Sequence, residues 1–359
     1  MEMLCVRAGK RALEMIRDGG FRLDRVTTYV GPAVGPRWLA ASGFDLTLLR
    51  NGLLGSKSRP VLLAGASAGA WRFAAWLQPE PEKSYRRLLE AYIGIPCDRR
   101  STPASLKKGL QEVINAFLEQ DAGQFALAHD RYRLAVTTAR ARHLAASETP
   151  WVQKSALALC YALNRLSRKH LFRFFERVVF YSGPRPPQFC FRPGFRGRTV
   201  ALNPINFKHA VLASGAIPLV IEGVTDIYGA PRGVYRDGGI IDYHLDHDYT
   251  AKADDVTLLF HHEQQIIPGW LDKKIKGRRP PAEALDNLLV ITPSPQLVGT
   301  LPGGKLPDRD DFLTFIDDAA GRILNWRKVV EICTPLGEEF IEHVQSGKIR
   351  EIVEPLSLD

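Results

Sequence analysis

Residues 61–77 read VLLAGASAGAWRFAAWL, and no other stretch constrains this chain as tightly. An apolar run, Val61 to Ala64, meets Gly65-Ala66-Ser67-Ala68-Gly69, and a helix-like segment continues to Leu77. This is G-x-S-x-G set where a buried strand turns sharply into a helix, the setting in which the motif lifts a serine hydroxyl clear of a sheet. Gly65 and Gly69 flank a turn pressed against neighbouring elements, where a Cβ would collide. The helix N-terminus behind Ser67 favours negative charge developing in front of it. The pattern points to a nucleophilic serine; the alternative is small residues that merely let helix and sheet pack closely.

The flanking elements give the elbow its setting. Ala8 to Arg17 has the spacing of a short amphipathic helix stopped by Gly19-Gly20. Arg25 to Val30 (RVTTYV) reads as a strand, Gly31-Pro32-Ala33-Val34-Gly35-Pro36-Arg37-Trp38 as a tight loop, and Phe44 to Leu54 as a helix. Strand, loop, helix and nucleophile strand make a βαβ start to a parallel sheet. Helices are predicted over Glu80 to Ala91, Ala104 to Ala128, Trp151 to Val179, Ile205 to Ser214 and, in pieces, Asp308 to Gln345. In the second of these, Leu106, Leu110, Val113, Ile114, Phe117 and Leu118 form an apolar stripe that serves either core packing or a lid. Strands are predicted at Tyr132 to Thr138, Phe189 to Phe191, Thr199 to Leu202, Val256 to Phe260 and Leu288 to Thr292. The expectation is one α/β domain over 1–359, with a mostly parallel central sheet flanked by helices, helical insertions and a helical C-terminus. Its motif-bearing core covers about 25–260 and the C-terminal helical part about 300–359.

The formal net charge of +9 favours an anionic partner, and motifs must say which. No RRM, KH, helix-turn-helix or zinc-finger pattern is present, so nucleic acid is not the expected partner. The basic loop Lys273-Lys274-Ile275-Lys276-Gly277-Arg278-Arg279-Pro280-Pro281 is either a solvated surface loop or a headgroup contact on an anionic membrane. Five scattered cysteines without CxxC spacing argue against a disulfide framework and a structural zinc site. No signal-peptide pattern and no apolar run near the ~20 residues of a membrane span is seen. The expected location is therefore intracellular and cytoplasmic, with peripheral membrane contact allowed.

A serine nucleophile needs a base within hydrogen-bond reach, and histidine or a carboxylate can serve. Nine histidines are available, His261 and His262 after a predicted strand among them, and none has a context that singles it out. Asp237 does. It ends the strand-like run Val234-Tyr235-Arg236 and precedes Gly238-Gly239, so backbone can crowd against it. Burial there would raise its pKa above the ordinary ~3.9 and strengthen it as a proton acceptor.

With Ala213-Ser214-Gly215-Ala216-Ile217-Pro218 and then Asp237-Gly238-Gly239 following the elbow in this order, residues from about Val26 to Asp242 resemble the patatin-like phospholipases. The resemblance implies a patatin-like fold and a Ser–Asp dyad without histidine, Ser67 as nucleophile and Asp237 as base. It implies a lipid or phospholipid ester substrate, cleaved through an acyl-enzyme, and no cofactor. It also implies an oxyanion loop after the first strand, where the family usually reads G-G-G-x-[RK]-G. Here Ala33-Val34-Gly35-Pro36-Arg37-Trp38 stands instead, agreeing only at Gly35 and Arg37, with N–H donors expected at Ala33, Val34 and Gly35. After Asp237, Ile240-Ile241-Asp242-Tyr243-His244-Leu245 replaces the family's usual Asn and Pro positions.

Three rivals stand beside this reading. The degenerate loop allows a lipid-binding or regulatory protein without turnover, and the histidines allow a Ser-His-Asp esterase. Asp242, His244, Asp246 and Asp248, if extended, would share one face as a nest for a divalent metal; the plainer reading is a solvated loop. His261-His262-Glu263 lacks HExxH spacing, and no G-x-G-x-x-G follows a strand, so no metal and no nucleotide cofactor is expected.

Overall fold

Buried backbone N–H and C=O groups must be paired, and the apolar runs of this chain satisfy theirs in one mixed sheet. A computed structural model of the protein describes residues 2–52, 54–56, 58–263 and 265–357. The strands are β1 (Leu4–Ala8), β2 (Val26–Gly31), β3 (Val61–Ala66), β4 (Tyr132–Ala141), β5 (Phe175–Tyr181), β6 (Arg198–Ala201), β7 (Val224–Thr225), β8 (Val234–Asp237), β9 (Val256–Phe260), β10 (Leu288–Pro293) and β11 (Val353–Pro355). Their order is β11-β1-β10-β9-β2-β3-β4-β5-β6, with β8 paired to β4 and β7 to β8. β10, β9, β2, β3 and β4 run parallel. β1 is antiparallel to β10, and β5 to β4.

Both faces of the central strands are covered, which is why β9 and β10 are buried at every position and read as apolar runs broken only by Thr257 and Thr292. Along β3 the side chains alternate. Val61 and Leu63 enter a large core with Phe44, Phe73, Trp76, Leu88 and Phe340 from the helices Ser42–Asn51, Ala68–Trp76, Pro81–Ile93 and Leu336–Gln345. Ala64 and Ala66 face the other way, onto Tyr243, Leu245, Tyr249 and Ile266 from loops. The helix beginning at Ala68 is anchored from within. Its Arg72 is 1% exposed and forks onto Asp45 at 2.6 and 2.7 Å, and Asp45 also accepts from Tyr29 and Tyr85. A buried pair so fully hydrogen-bonded fixes geometry.

Several elements differ from the sequence reading. Leu4–Ala8 is a strand that was not predicted; Lys10–Arg17 alone is helical there. The helix predicted over Phe44 to Leu54 is Ser42–Asn51, and Leu53 lies outside the described residues. Ala104 to Ala128 is two helices, Pro103–Phe117 and Ala122–Ala128. The long helix predicted over Trp151 to Val179 stops at Leu166, a short helix Leu171–Phe174 follows, and Phe175–Tyr181 is β5. β5 is buried at six consecutive positions, Glu176 and Arg177 included, so FERVVFY carries no apolar–polar alternation by which to tell strand from helix. Gln188–Phe191 is a 3₁₀ turn instead of a strand. The predicted C-terminal helical part is present as Ala319–Cys333, Leu336–Gln345 and shorter pieces, with Leu358 and Asp359 outside the described residues. Among the described residues no helix is long and apolar enough to cross a membrane.

Candidate active site

The register of β4 brings the two predicted residues together. β5 lies along one edge of β4, and β3 and β8 share the other edge end to end. β3 finishes with Ala66 opposite Thr137, and β8, running the opposite way, finishes with Asp237 opposite Thr138. Ser67 and Asp237 therefore meet head-on, although 170 residues separate them, and Ser67 Oγ donates to Asp237 Oδ2 at 2.7 Å. Both are nearly buried, at 5% and 4% exposure.

Ser67 holds φ 53°, ψ −126°, a left-handed conformation for a residue with a Cβ. Such strain costs about 1–3 kcal/mol and persists only where surroundings impose it. They do so here. Ser67 N–H donates to Ser214 Oγ at 2.8 Å, and Ser214 Oγ–H donates to the carbonyl of Thr137 at 2.7 Å. Trp71 Nε1–H ties the elbow helix to the carbonyl of Val211. A Cβ on Gly69 would lie 1.8 Å from the carbonyl oxygen of Gly31, and one on Gly65 2.5 Å from the nitrogen of Ala70. Both glycines mark backbone-on-backbone contact.

Asp237 is clamped similarly. Its N–H donates to Ala216 O at 2.9 Å, and its Oδ1 accepts Gly239 N–H at 2.7 Å. Gly238 leaves no room for a Cβ, which would sit 2.1 Å from Thr137 O, and one on Gly239 would meet Ala33 Cβ at 2.5 Å. Burial pushes the Asp237 carboxyl above its ordinary pKa; the charge of Arg309, the Ser67 hydroxyl and the Gly239 N–H pull it only part of the way back. A carboxylate so placed is a stronger base than one in water.

The loop after β2 corrects the donor assignment. Ala33 N–H donates to Tyr243 O at 2.8 Å and Val34 N–H to Pro32 O at 3.0 Å, so neither is available to an oxyanion. Gly35, at φ +56°, has no hydrogen bond on its N–H among the described residues, and neither has Ala68, the first residue of the elbow helix. Gly35, Ser67 and Ala68 line one cavity of about 870 Å³. Its walls are mostly apolar, from Trp71, Tyr92, Leu106, Leu110, Ile217 and Phe312, with Asp98, Arg99, Arg309 and Asp310 charged among them, and its volume is within the size range of small-molecule sites. Leu106 and Leu110 thus put the predicted apolar stripe to two uses: Val113, Ile114 and Phe117 are core, and the N-terminal turns form cavity wall. On the Asp237 side a void of about 10 Å³, lined by Ala33, Asp237, Gly239, Tyr243, Trp270 and Arg309, is of one-water size. A hollow of about 710 Å³ elsewhere is walled by the ion pairs of Arg50, Arg86 and Glu82 and holds none of the predicted site residues.

Arg37 lines neither the cavity nor the void; its charge acts on Tyr243, His261 and His262 instead. No histidine lines either space among the described residues. The predicted acidic metal nest is only partly assembled: Asp242 and Asp246 lie with His247, their ligand atoms within 4.8 Å of one another, while His244 and Asp248 point elsewhere. Asp242 takes a two-pronged grip from Arg177 at 2.7 and 2.6 Å, Asp248 holds Thr250 and Arg192, and His244 turns toward His261 and His262. Those three histidines bring ring nitrogens within 4.8 Å of one another, and burial keeps all three pKa values below the ordinary histidine range. His244 Nδ1 accepts Ile267 N–H at 2.9 Å, so the proton of its neutral ring sits on Nε2, presenting a donor where a cation needs a lone pair. Arg37 and Lys273 add positive charge around them.

Arg309 was missed in the sequence. It lies in Pro307-Asp308-Arg309-Asp310-Asp311, and a single arginine in an acidic turn carries no signal of a site 72 residues before it. Ser214 stands in the sequence as part of Ala213-Ser214-Gly215-Ala216-Ile217-Pro218, a pattern with no local signal of its clamp on the elbow. The chain matches no protein-family model and no curated protein.

Proposed function

We propose that this protein is a lipid acyl hydrolase of the patatin-like kind, a lipase or phospholipase A-type enzyme, with Ser67 as nucleophile and Asp237 as general base. The observation that carries the reading is the Ser67–Asp237 hydrogen bond at 2.7 Å, with Ser67 lining a mostly apolar cavity. The resemblance over the elbow, Ala213 to Pro218 and Asp237 to Gly239 supports the same reading.

The chemistry follows from the positions. Asp237 Oδ2 accepts the proton as Ser67 Oγ attacks the acyl carbonyl carbon, and the carbonyl oxygen becomes an oxyanion facing the N–H groups of Gly35 and Ala68. Collapse returns the proton from Asp237 to the departing alcohol oxygen and leaves the acyl group on Ser67. A water then loses a proton to Asp237, attacks the acyl carbon, and releases the fatty acid with the proton restored to Ser67. The void beside Asp237 is of a size for that water. The apolar walls take the acyl chain, and the +9 charge favours adsorption to anionic lipid surfaces.

A second reading has one specific observation in its favour: two of the three expected loop donors, Ala33 and Val34, are already spent. The cavity would then hold lipid without turnover. Fluorophosphonate labelling beside hydrolysis of a medium-chain ester separates the two. Labelling and turnover in the wild type, lost in Ser67→Ala and Asp237→Asn, support the hydrolase. A folded wild type that takes up lipid yet shows neither leaves the binding protein.

A further inference from the structure

Resting on the hydrolase reading, we propose that Arg309 is a catalytic residue of the site, its guanidinium contacting the oxyanion and supplying the stabilisation that Ala33 and Val34 do not. A tetrahedral oxyanion needs two or three donors aimed at it in advance. Among the described residues the cavity-lining N–H groups of Gly35 and Ala68 carry no hydrogen bond, and Pro36 has no N–H.

Arg309 stands at that place. Its side chain lies on Gly35, close enough that a Cβ there would come 3.2 Å from Nε. Arg309 and Ile217 are the two residues that line both the cavity holding Ser67 and the void holding Asp237. The guanidinium packs over the Trp270 ring at 5.9 Å and makes no hydrogen bond or ion pair among the described residues. Two of the three acidic side chains beside it are turned to other partners, and the third, the exposed Asp310, makes no ion pair with it among the described residues. Asp311 accepts from Lys305 and from Trp326 Nε1, and Asp308 accepts from Lys305 and the N–H of Asp310. These bonds fix the turn, and Phe312 N–H holds the carbonyl of Arg309 at 3.2 Å. A half-buried guanidinium on a braced backbone, with its donors unspent, is preorganised for an anion.

The charge it meets changes during the reaction. Before attack the nearby anion is the Asp237 carboxylate. Once Ser67 has given up its proton, Asp237 is neutral and the negative charge sits on the former carbonyl oxygen. Arg309 accelerates the step only if it holds the oxyanion better than the carboxylate. If it held the carboxylate better, its removal would shift the acid limb of the pH profile and leave the plateau rate intact or higher. Tyr92, Tyr243 and Lys273 are the other titratable groups in its field; burial keeps both tyrosines well above neutrality, while burial and the charges of Arg309 and Arg37 bring Lys273 down to about 8.

The test is the pH profile of kcat and kcat/KM for a medium-chain 4-nitrophenyl ester, with wild type, Arg309→Ala, Arg309→Lys and a Ser67→Ala blank. The expected result is a fall of about 10²-fold in plateau kcat for Arg309→Ala with KM little changed. Partial recovery is expected in Arg309→Lys, together with an acid limb moved to higher pH in Arg309→Ala. Arg309→Lys keeps the charge and stem, so it carries the comparison should Arg309→Ala not fold. A plateau kcat within threefold of wild type in both variants, against an inactive Ser67→Ala, overturns the role of Arg309 and leaves the dyad standing. Wild-type turnover no faster than the Ser67→Ala blank overturns the hydrolase reading itself, and this inference with it.

Discussion

Asp237 and Asp242 sit five residues apart in one buried segment, and their surroundings do opposite things to them. Asp237 accepts one hydroxyl and one backbone N–H and has no ion pair among the described residues; burial raises its pKa. Burial also opposes ionisation of Asp242, but the fork of Arg177 and the ring of His247 outweigh it and hold that carboxyl well below the ordinary range. Burial alone therefore does not decide what a carboxylate is for. The partner does: Asp242 is locked as a charge, while Asp237 is left able to take a proton.

The comparison breaks most visibly if the two aspartates are changed separately. Asp237→Asn is expected to lower ester turnover on the order of 10⁴-fold, as loss of an essential base does, without loss of stability. A raised folded-state pKa means that the stability tied to Asp237 is present at low pH and lost as pH rises through that value. At neutral pH the asparagine variant should therefore unfold in urea at the same or a higher concentration than wild type. Asp242→Asn strands the Arg177 charge in the core and should cost about 3–5 kcal/mol. Because the Asp242 pKa is depressed, this penalty is present above ~3.9 and fades as pH falls. Urea midpoints across pH check both signs. A destabilised Asp237→Asn, or an unaffected Asp242→Asn, would collapse the distinction between the two sites.

Activity carries the same contrast in its pH dependence. On the proposed hydrolase mechanism turnover needs Asp237 unprotonated, so kcat/KM should rise through a pKa above the ~3.9 of a solvated aspartate. An acid limb centred at or below that value would show that burial does not tune the base.

These contrasts also mark how far the sequence could be read. Ser67 and Asp237 were legible because elbow and DGG are local patterns whose backbone needs are written in adjacent glycines. The meeting of the two depends on the register of β4, and the motif order within residues 26–242 stood in for that register. The parallel strands β2, β3, β9 and β10 were legible as apolar runs bounded by turns. β1 was missed because LCVRA is short and interrupted by Arg7, and β5 was misread because full burial removes alternation. Loop donors were assigned by residue type, whereas availability depends on which carbonyls face them. Tyr243 O and Pro32 O had already taken two. Arg309 reaches the site through the tertiary fold alone.

The clamp on the elbow sharpens the comparison at smaller scale. Ser214→Ala removes the hydroxyl bridging Ser67 N–H and Thr137 O, leaving two buried polar groups unpaired. The expected cost is about 1–3 kcal/mol, with a drop in kcat because the strained Ser67 backbone loses a support. Thermal unfolding and ester turnover read the two effects separately. Lost stability with unchanged kcat would mean that the glycine contacts hold the elbow unaided.

The smallest expected effect separates backbone strain from site geometry. Gly35 and Gly303 both have positive φ, +56° and +70°. An added Cβ costs about 1–2 kcal/mol in that region wherever it occurs. At Gly303 the new methyl meets nothing within 4 Å, whereas at Gly35 it lies 3.2 Å from Arg309 Nε and 3.4 Å from its Cγ. Gly303→Ala should therefore lose stability and keep wild-type kcat. Gly35→Ala should lose similar stability and also several-fold in kcat, since relief of strain would shift the loop N–H and the methyl would displace the guanidinium. Equal kcat in the two variants would mean that the donor geometry tolerates movement of tenths of an ångström, and the functional weight would fall back on Ala68 N–H at the more rigid elbow.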